Sequence, residues 1–166
     1  GAPPPPGFSE RRRVVVTGVG LVTPYGVGRQ RSWEAMLSGR SATSSLPEEY
    51  KDQPCRVAAM VPRGKGDGEF DADGVKGFPS SRTAPFVQMA LVAAEEALQD
   101  AGFGSGIDPS DAETFAVCVG TGIGSLDDIV ASGALVRDGQ GRKVTPFFVP
   151  KVLANMAGGP NCTQHG

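Results

Sequence analysis

The apolar positions of this chain fall into two unbroken runs and several stripes of helical period, with glycine at most of the junctions. The first run, Val14-Val15-Val16, is three consecutive β-branched residues, which suit a pleated strand packed on both faces. It leads into Thr17-Gly18-Val19-Gly20, where glycine permits backbone angles and close approaches that a side chain forbids. The second run, Thr114-Phe115-Ala116-Val117-Cys118-Val119-Gly120, predicts a second buried strand, with Cys118 as a structural thiol inside it. It too ends in glycines, Gly120-Thr121-Gly122-Ile123-Gly124. A parallel-type strand that ends in a glycine turn delivers the chain to the edge where open α/β sheets bind their ligands.

Between and after these runs the period changes to that of helices. Over 28–39, Trp33, Met36 and Leu37 form one apolar stripe, which predicts a short helix closed by Gly39 with Trp33 in the core. Residues 81–101 give the clearest helix. Ser81 or Thr83 is placed to cap it, Pro85 fits its first turn, and Gly102 ends it. Its stripe is Phe86, Met89, Ala90, Ala93, Ala97 and Leu98, whose small alanines predict close packing against a neighbour. Two more helices are expected, over 126–135 and from Pro150 onward, the latter after an extended apolar loop through Pro146, Phe147 and Phe148. Residues 55–61 suit a short strand, 41–54 a loop with turns, and 62–77 a flexible surface loop. Strands alternating with helices in this order indicate an α/β layered protein.

Composition narrows the picture. The chain has 166 residues, 16 basic and 18 acidic, and a formal net charge of −2. That balance gives no basic stripe for nucleic acid. The three cysteines, Cys55, Cys118 and Cys162, are odd in number and widely spaced. They make no disulfide framework and point to a reducing compartment. No apolar run approaches the length of a membrane span. Residues 1–11, with Pro3-Pro4-Pro5-Pro6, read as a disordered leader or the remnant of a targeting peptide.

Three local patterns invite chemistry, and each falls short. Gly18-Val19-Gly20 begins like a dinucleotide fingerprint, but its third glycine position is Thr23 and no acidic residue closes a second strand. Cys162 and His165 stand three apart, yet near the chain end nothing follows to orient a base or complete a metal site. Asp67, Glu69, Asp71 and Asp73 alternate like calcium ligands, but the central glycine and closing glutamate of such a loop are out of register. No metal and no cofactor is expected.

Four longer segments taken together carry more. They are Arg13 through Gly20 to Pro24-Tyr25-Gly26; Trp33 through Gly39-Arg40-Ser41; Val119-Gly120-Thr121-Gly122-Ile123-Gly124-Ser125-Leu126; and Thr145-Pro146-Phe147-Phe148-Val149-Pro150 through Asn155-Met156-Ala157-Gly158. In order and spacing, residues 12–158 resemble the N-terminal portion of an elongating β-ketoacyl-[acyl-carrier-protein] synthase. Glu49-Tyr50-Lys51 to Pro54-Cys55, with Val57-Ala58-Ala59 and Val61-Pro62-Arg63-Gly64, is most similar to the mitochondrial branch.

The resemblance implies an incomplete N-terminal half of a thiolase-like fold, with layers of helix, sheet, helix, sheet and helix. It implies a condensing acyltransferase of fatty acid biosynthesis that elongates acyl-[acyl-carrier-protein] with malonyl-[acyl-carrier-protein] and releases CO2. Acyl carrier protein is then the partner, a homodimer the assembly, and the mitochondrion, or alternatively the cytoplasm, the location. The family's catalytic cysteine and two histidines have no counterparts here. Gly159-Pro160-Asn161 arrives earlier than in the family, and residues 159–166 depart from its pattern, so Cys162 is not assigned as nucleophile. What carries over is part of the acyl pocket: Ile123 and Leu126 in the glycine-rich loop and Phe148 in the Pro-Phe-Phe motif. Two other readings stand beside this one. In the first, the chain is a truncated, catalytically silent product that acts only by binding a partner, with apolar surface left uncovered. In the second, it is a nucleotide-binding α/β domain.

Overall fold

The computed structural model describes residues 13–159; Cys162 and His165 lie outside them. A hairpin comes first, β1 (Val22–Thr23) paired antiparallel with β2 (Gly26–Val27). Thr23-Pro24-Tyr25-Gly26 forms its turn, fixed by the Tyr25 N–H donating to Thr23 Oγ1 at 3.1 Å. Helix α1 (Arg29–Leu37) follows. A second small ladder pairs β3 (Ser44–Ser45) with β4 (Val57–Ala58). The long helix α2 (Pro85–Asp100) occupies the middle of the chain. Two further helices, α3 (Leu126–Arg137) and α4 (Phe148–Val152), close the described part. Among the described residues, no helix is long and apolar enough to cross a membrane.

The core lies along α2. Ala84, Val87, Leu91 and Ala157 are buried together, and Val75, Phe78, Phe86, Ala90 and Met156 pack around them. The stripe expected from the sequence (Phe86, Met89, Ala90, Ala93, Ala97, Leu98) is only half-buried. The fully buried face is one step round the helix, at Val87, Gln88 and Leu91. Gln88 is buried because its Nε2 donates to the carbonyls of Ala72 at 2.9 Å and Phe78 at 2.7 Å. One amide thereby holds the 72–78 loop on the helix. The N-cap is Ala84, without a side-chain hydrogen bond, so neither Ser81 nor Thr83 caps α2. Pro85 at the first position needs no N–H partner there. At the other end, Gly102 takes φ +89°, and the Phe103 N–H reaches back to the Leu98 carbonyl at 2.8 Å. This is the glycine-terminated C-cap that the sequence predicts.

The run Val14-Val15-Val16 is not buried; Val14 is 86% and Val16 83% exposed. Neither this segment nor 114–120 makes ladder hydrogen bonds among the described residues. β-Branched residues favour a strand only where neighbouring strands complete it, and among the described residues none pairs with this segment. The chain nevertheless crosses α2 as a strand would. A Cβ on Gly18 would meet Ala97 O and Ala101 N, and one on Gly20 would meet Ala93 O and Ala97 N. Two residues of extended chain advance about 6.6 Å, close to the ~5.4 Å of one helical turn. Successive glycines therefore fall on successive turns of the alanine face. These glycines face the side of a helix rather than a helix N-terminus, so they serve packing and not a phosphate.

Carboxylates from α2 complete the attachment. Glu96 accepts the Leu21 N–H on Oε2 and the Arg29 N–H on Oε1, both at 2.8 Å. Helix α1 has Gly28 as its N-cap and no acidic residue in its first turn, so Glu96 supplies the acceptor its N-terminus lacks. Asp100 accepts the Val19 N–H and pairs with Arg29 at 2.6 Å.

Helix α1 also turns a different face inward from the one its stripe suggests. Trp33 is 55% exposed, and Met36 and Leu37 are exposed with it. The buried residues are Ser32 and Ala35. Small side chains let α1 sit close to the hairpin, and the Ser32 hydroxyl hydrogen-bonds Thr23 Oγ1 at 2.8 Å. The 62–77 stretch is better anchored than a flexible loop. Phe70 is buried, the Val27 N–H donates to the Gly68 carbonyl at 2.9 Å, and Arg31 pairs with Asp67. Glu69 accepts the Gly66 N–H and Asp71 caps the turn 72–74, so the alternating carboxylates are engaged in holding the loop.

Candidate functional site

The glycine-rich loop after residue 119 ends at Ser125, which caps α3. Its hydroxyl accepts from the Asp128 N–H at 3.5 Å and donates to Asp128 Oδ2 at 2.6 Å. Asp127 and Asp128 lie in the first turn of α3 and Arg137 in the last, which suits the helix dipole at both ends. Helix α4 begins at Phe148, two residues before the expected start at Pro150, because Thr145 turns the chain there. The Phe147 N–H donates to Thr145 Oγ1 and the Phe148 N–H to the Thr145 carbonyl. Pro150 then occupies the first turn, where its missing N–H costs nothing.

Three attachments join this loop to α4 and the turn that follows it. The Thr121 hydroxyl donates to the Ala154 carbonyl at 2.6 Å. Gly124 lies so close to Val152 that an added Cβ would stand 1.9 Å from the Val152 carbonyl oxygen. Lys151 Nζ pairs with Asp128 Oδ1 at 2.8 Å, and both side chains are largely shielded. Burial alone would raise the Asp128 carboxyl. The hydrogen bonds from Lys151 and Ser125, with the lysine charge, outweigh it and hold the group below its ordinary value.

That depression fixes a pH dependence. A carboxylate with a lowered folded pKa stabilises the fold above its unfolded value, near pH 4, and loses that contribution as pH falls through the lower folded value. The α3–α4 attachment is therefore expected to loosen in acid below about pH 4. NMR shifts of Ser125 and Lys151 should follow this titration, and Asp128→Asn should remove it.

The site residues inferred from the sequence do not all meet. Ile123, 63% exposed, and Leu126, 57% exposed, border a shallow cleft of about 440 Å³. Pro85, Phe86 and Met89 of α2 form its other wall, with Arg63 and Asp127 at the rim. Phe148 is half-buried at the start of α4 and is not on the lining of that cleft. A second groove, about 420 Å³ and almost wholly apolar, runs between Ala90, Ala94, Ala97 and Leu98 of α2 and residues 115–120. Cys118 lines it and is exposed, not enclosed in a strand. The sequence signal for this groove was the alanine face of α2, whose small side chains leave room that a second layer has not filled.

Nucleophilic chemistry finds no constellation among the described residues. They contain no histidine. Cys55 donates its thiol to the Val57 carbonyl at 3.3 Å. Neither Cys55 nor Cys118 stands at a helix N-terminus. No group of three or more histidine, cysteine or acidic side chains is placed to hold a metal among these residues.

The mixed α/β arrangement is that of thiolase-like ketosynthases. A β-ketoacyl synthase from Burkholderia phymatum superimposes with a TM-score of 0.70 at 26% identity, over 93% of this chain and 37% of its own. A type II polyketide ketosynthase in complex with its acyl-carrier protein gives 0.57 at 25% identity, over 93% of this chain and 36% of its own. The chain belongs to the β-ketoacyl synthase family, whose N-terminal domain matches residues 11–161. The 3-oxoacyl-[acyl-carrier-protein] synthase 2 of Rhizobium meliloti is 40% identical over 93% of this chain and 37% of that protein. The mitochondrial 3-oxoacyl-[acyl-carrier-protein] synthase of Arabidopsis thaliana is 38% identical over 96% of this chain and 37% of that protein. The chain thus spans about 37% of the length of these relatives.

Proposed function

We propose that the protein serves acyl-chain elongation as a β-ketoacyl-[acyl-carrier-protein] synthase. The observation that carries this reading is the match to 3-oxoacyl-[acyl-carrier-protein] synthases across more than nine-tenths of the chain. In the proposed reaction an acyl group passes from carrier-protein thioester to an enzyme cysteine. Malonyl-carrier protein then loses CO2, and the resulting carbanion attacks the acyl thioester, expelling the cysteine thiolate. The product is a 3-oxoacyl-carrier protein. Residues 12–158 form the N-terminal portion of the condensing domain in this reading, with Ile123, Leu126 and Phe148 lining the acyl pocket. Acyl carrier protein is the partner, a homodimer the assembly, and the mitochondrion the location.

The test begins with protein captured from its source by an antibody to the 110–137 region. Incubated with acyl- and malonyl-carrier protein, it is expected to release CO2 and yield a 3-oxoacyl-carrier protein lengthened by two carbons, detected by mass spectrometry. Binding of carrier protein without CO2 release would overturn the enzyme reading and leave a binding role in its place.

A further inference from the structure

We propose that the Asp128–Lys151 ion pair, closed over by Ser125, is a positioning device that sets the reach of the acyl site by fixing loop 120–126 against α4. The inference rests on the acyl reading above. The three attachments (Thr121 to Ala154, Gly124 against Val152, and Asp128 to Lys151) run in order along the loop and in roughly reverse order along α4 and its following turn. In two of them the partner on α4 or its following turn is a backbone carbonyl. Only the ion pair joins two side chains, and its members are shielded, at 20% and 13% exposure.

Its ends are close to the residues that matter. Asp128 is two residues beyond Leu126 and five beyond Ile123, on the helix that Ser125 caps. Lys151 is three residues after Phe148, on the same face of α4. The pair therefore joins the two pieces of backbone that carry the three apolar residues. It touches no acyl chain itself. Loss of the tether lets Ile123 and Leu126 shift relative to Phe148, and with them the depth available to the chain. Neutralising one partner would also leave the other charge shielded and alone, so the contact would open rather than tighten.

Calorimetric titration of the full chain with acyl-pantetheine amides, from hexanoyl to palmitoyl, tests this. The wild-type chain should show a length optimum. Lys151→Met should move or flatten it, with about a tenfold change in discrimination between neighbouring lengths, while Lys151→Arg keeps it. Hydrogen exchange of residues 120–126 should quicken in Lys151→Met only. If Lys151→Met does not fold, Asp128→Asn, which retains a hydrogen-bonding partner for Ser125, makes the same comparison. An unmoved optimum, or equal weakening at every length, would overturn the inference alone. Absence of acyl binding by the wild-type chain would overturn the acyl reading and this inference with it.

Discussion

A Leu91→Ala chain is expected to lose roughly 2–5 kcal/mol of stability, the cost of a cavity left by a fully buried leucine. Leu91 is 1% exposed and sits among Val87, Ala84 and Ala157. Three separate stretches meet there: α2, the 72–78 loop through Val75 and Phe78, and residues 156–157. The urea midpoint should fall with no change in slope, which marks lost stability rather than an altered unfolded state. Val130→Ala, at an exposed position, should stay within about 0.5 kcal/mol of the parent. If the two variants behaved alike, the cluster around Leu91 would not be the core.

The second large effect concerns Gly20. An alanine there would place its Cβ 1.9 Å from the Ala93 carbonyl oxygen and 2.7 Å from the Ala97 nitrogen. Both are backbone atoms of a helix interior, so no side chain can swing aside. The crossing segment must lift instead, at about 1–3 kcal/mol for overpacking. The Leu21–Glu96 and Val19–Asp100 hydrogen bonds are exposed to the same displacement. Gly133→Ala makes the contrast, since an added Cβ there meets nothing within 4 Å. In the middle of α3 it should stabilise by about 0.5–1 kcal/mol. Thermal unfolding of the two variants should therefore shift in opposite directions, and a common direction would refute the close approach at Gly20.

The sequence was legible where a local rule decides the outcome. Gly39 and Gly102 end their helices in the left-handed region, as a C-capping glycine should. The Thr23–Gly26 turn and the long α2 follow from turn chemistry and period. Failure came where the outcome depends on what lies opposite. Three valines in a row call for a sheet, and with no strand paired to them among the described residues they remain exposed. Trp33 looked like core because it is large and on a stripe, yet α1 docks through Ser32 and Ala35. A hydroxyl that bonds a neighbouring hydroxyl can outrank an indole when the gap is narrow. Within the site, the sequence marks Ile123, Leu126 and Phe148 by motif. The Lys151–Asp128 link was not foreseen, because a pair 23 positions apart leaves no periodic trace.

The dependence of the N-terminal segment on α2 has a temporal side. Val19 reaches Asp100, Leu21 reaches Glu96 and Arg29 reaches Glu96 across 81, 75 and 67 positions. A chain synthesised from its N-terminus presents the hairpin and α1 long before the helix that receives them. At about 5–20 residues per second, residues 19–29 wait several seconds for the side chains that accept their N–H groups. The Val19, Leu21 and Arg29 N–H groups find their acceptors on Asp100 and Glu96, which are made only later. Order of synthesis and order of docking are thus reversed for these two segments: residues 19–29 are made before α2 but can dock only after it.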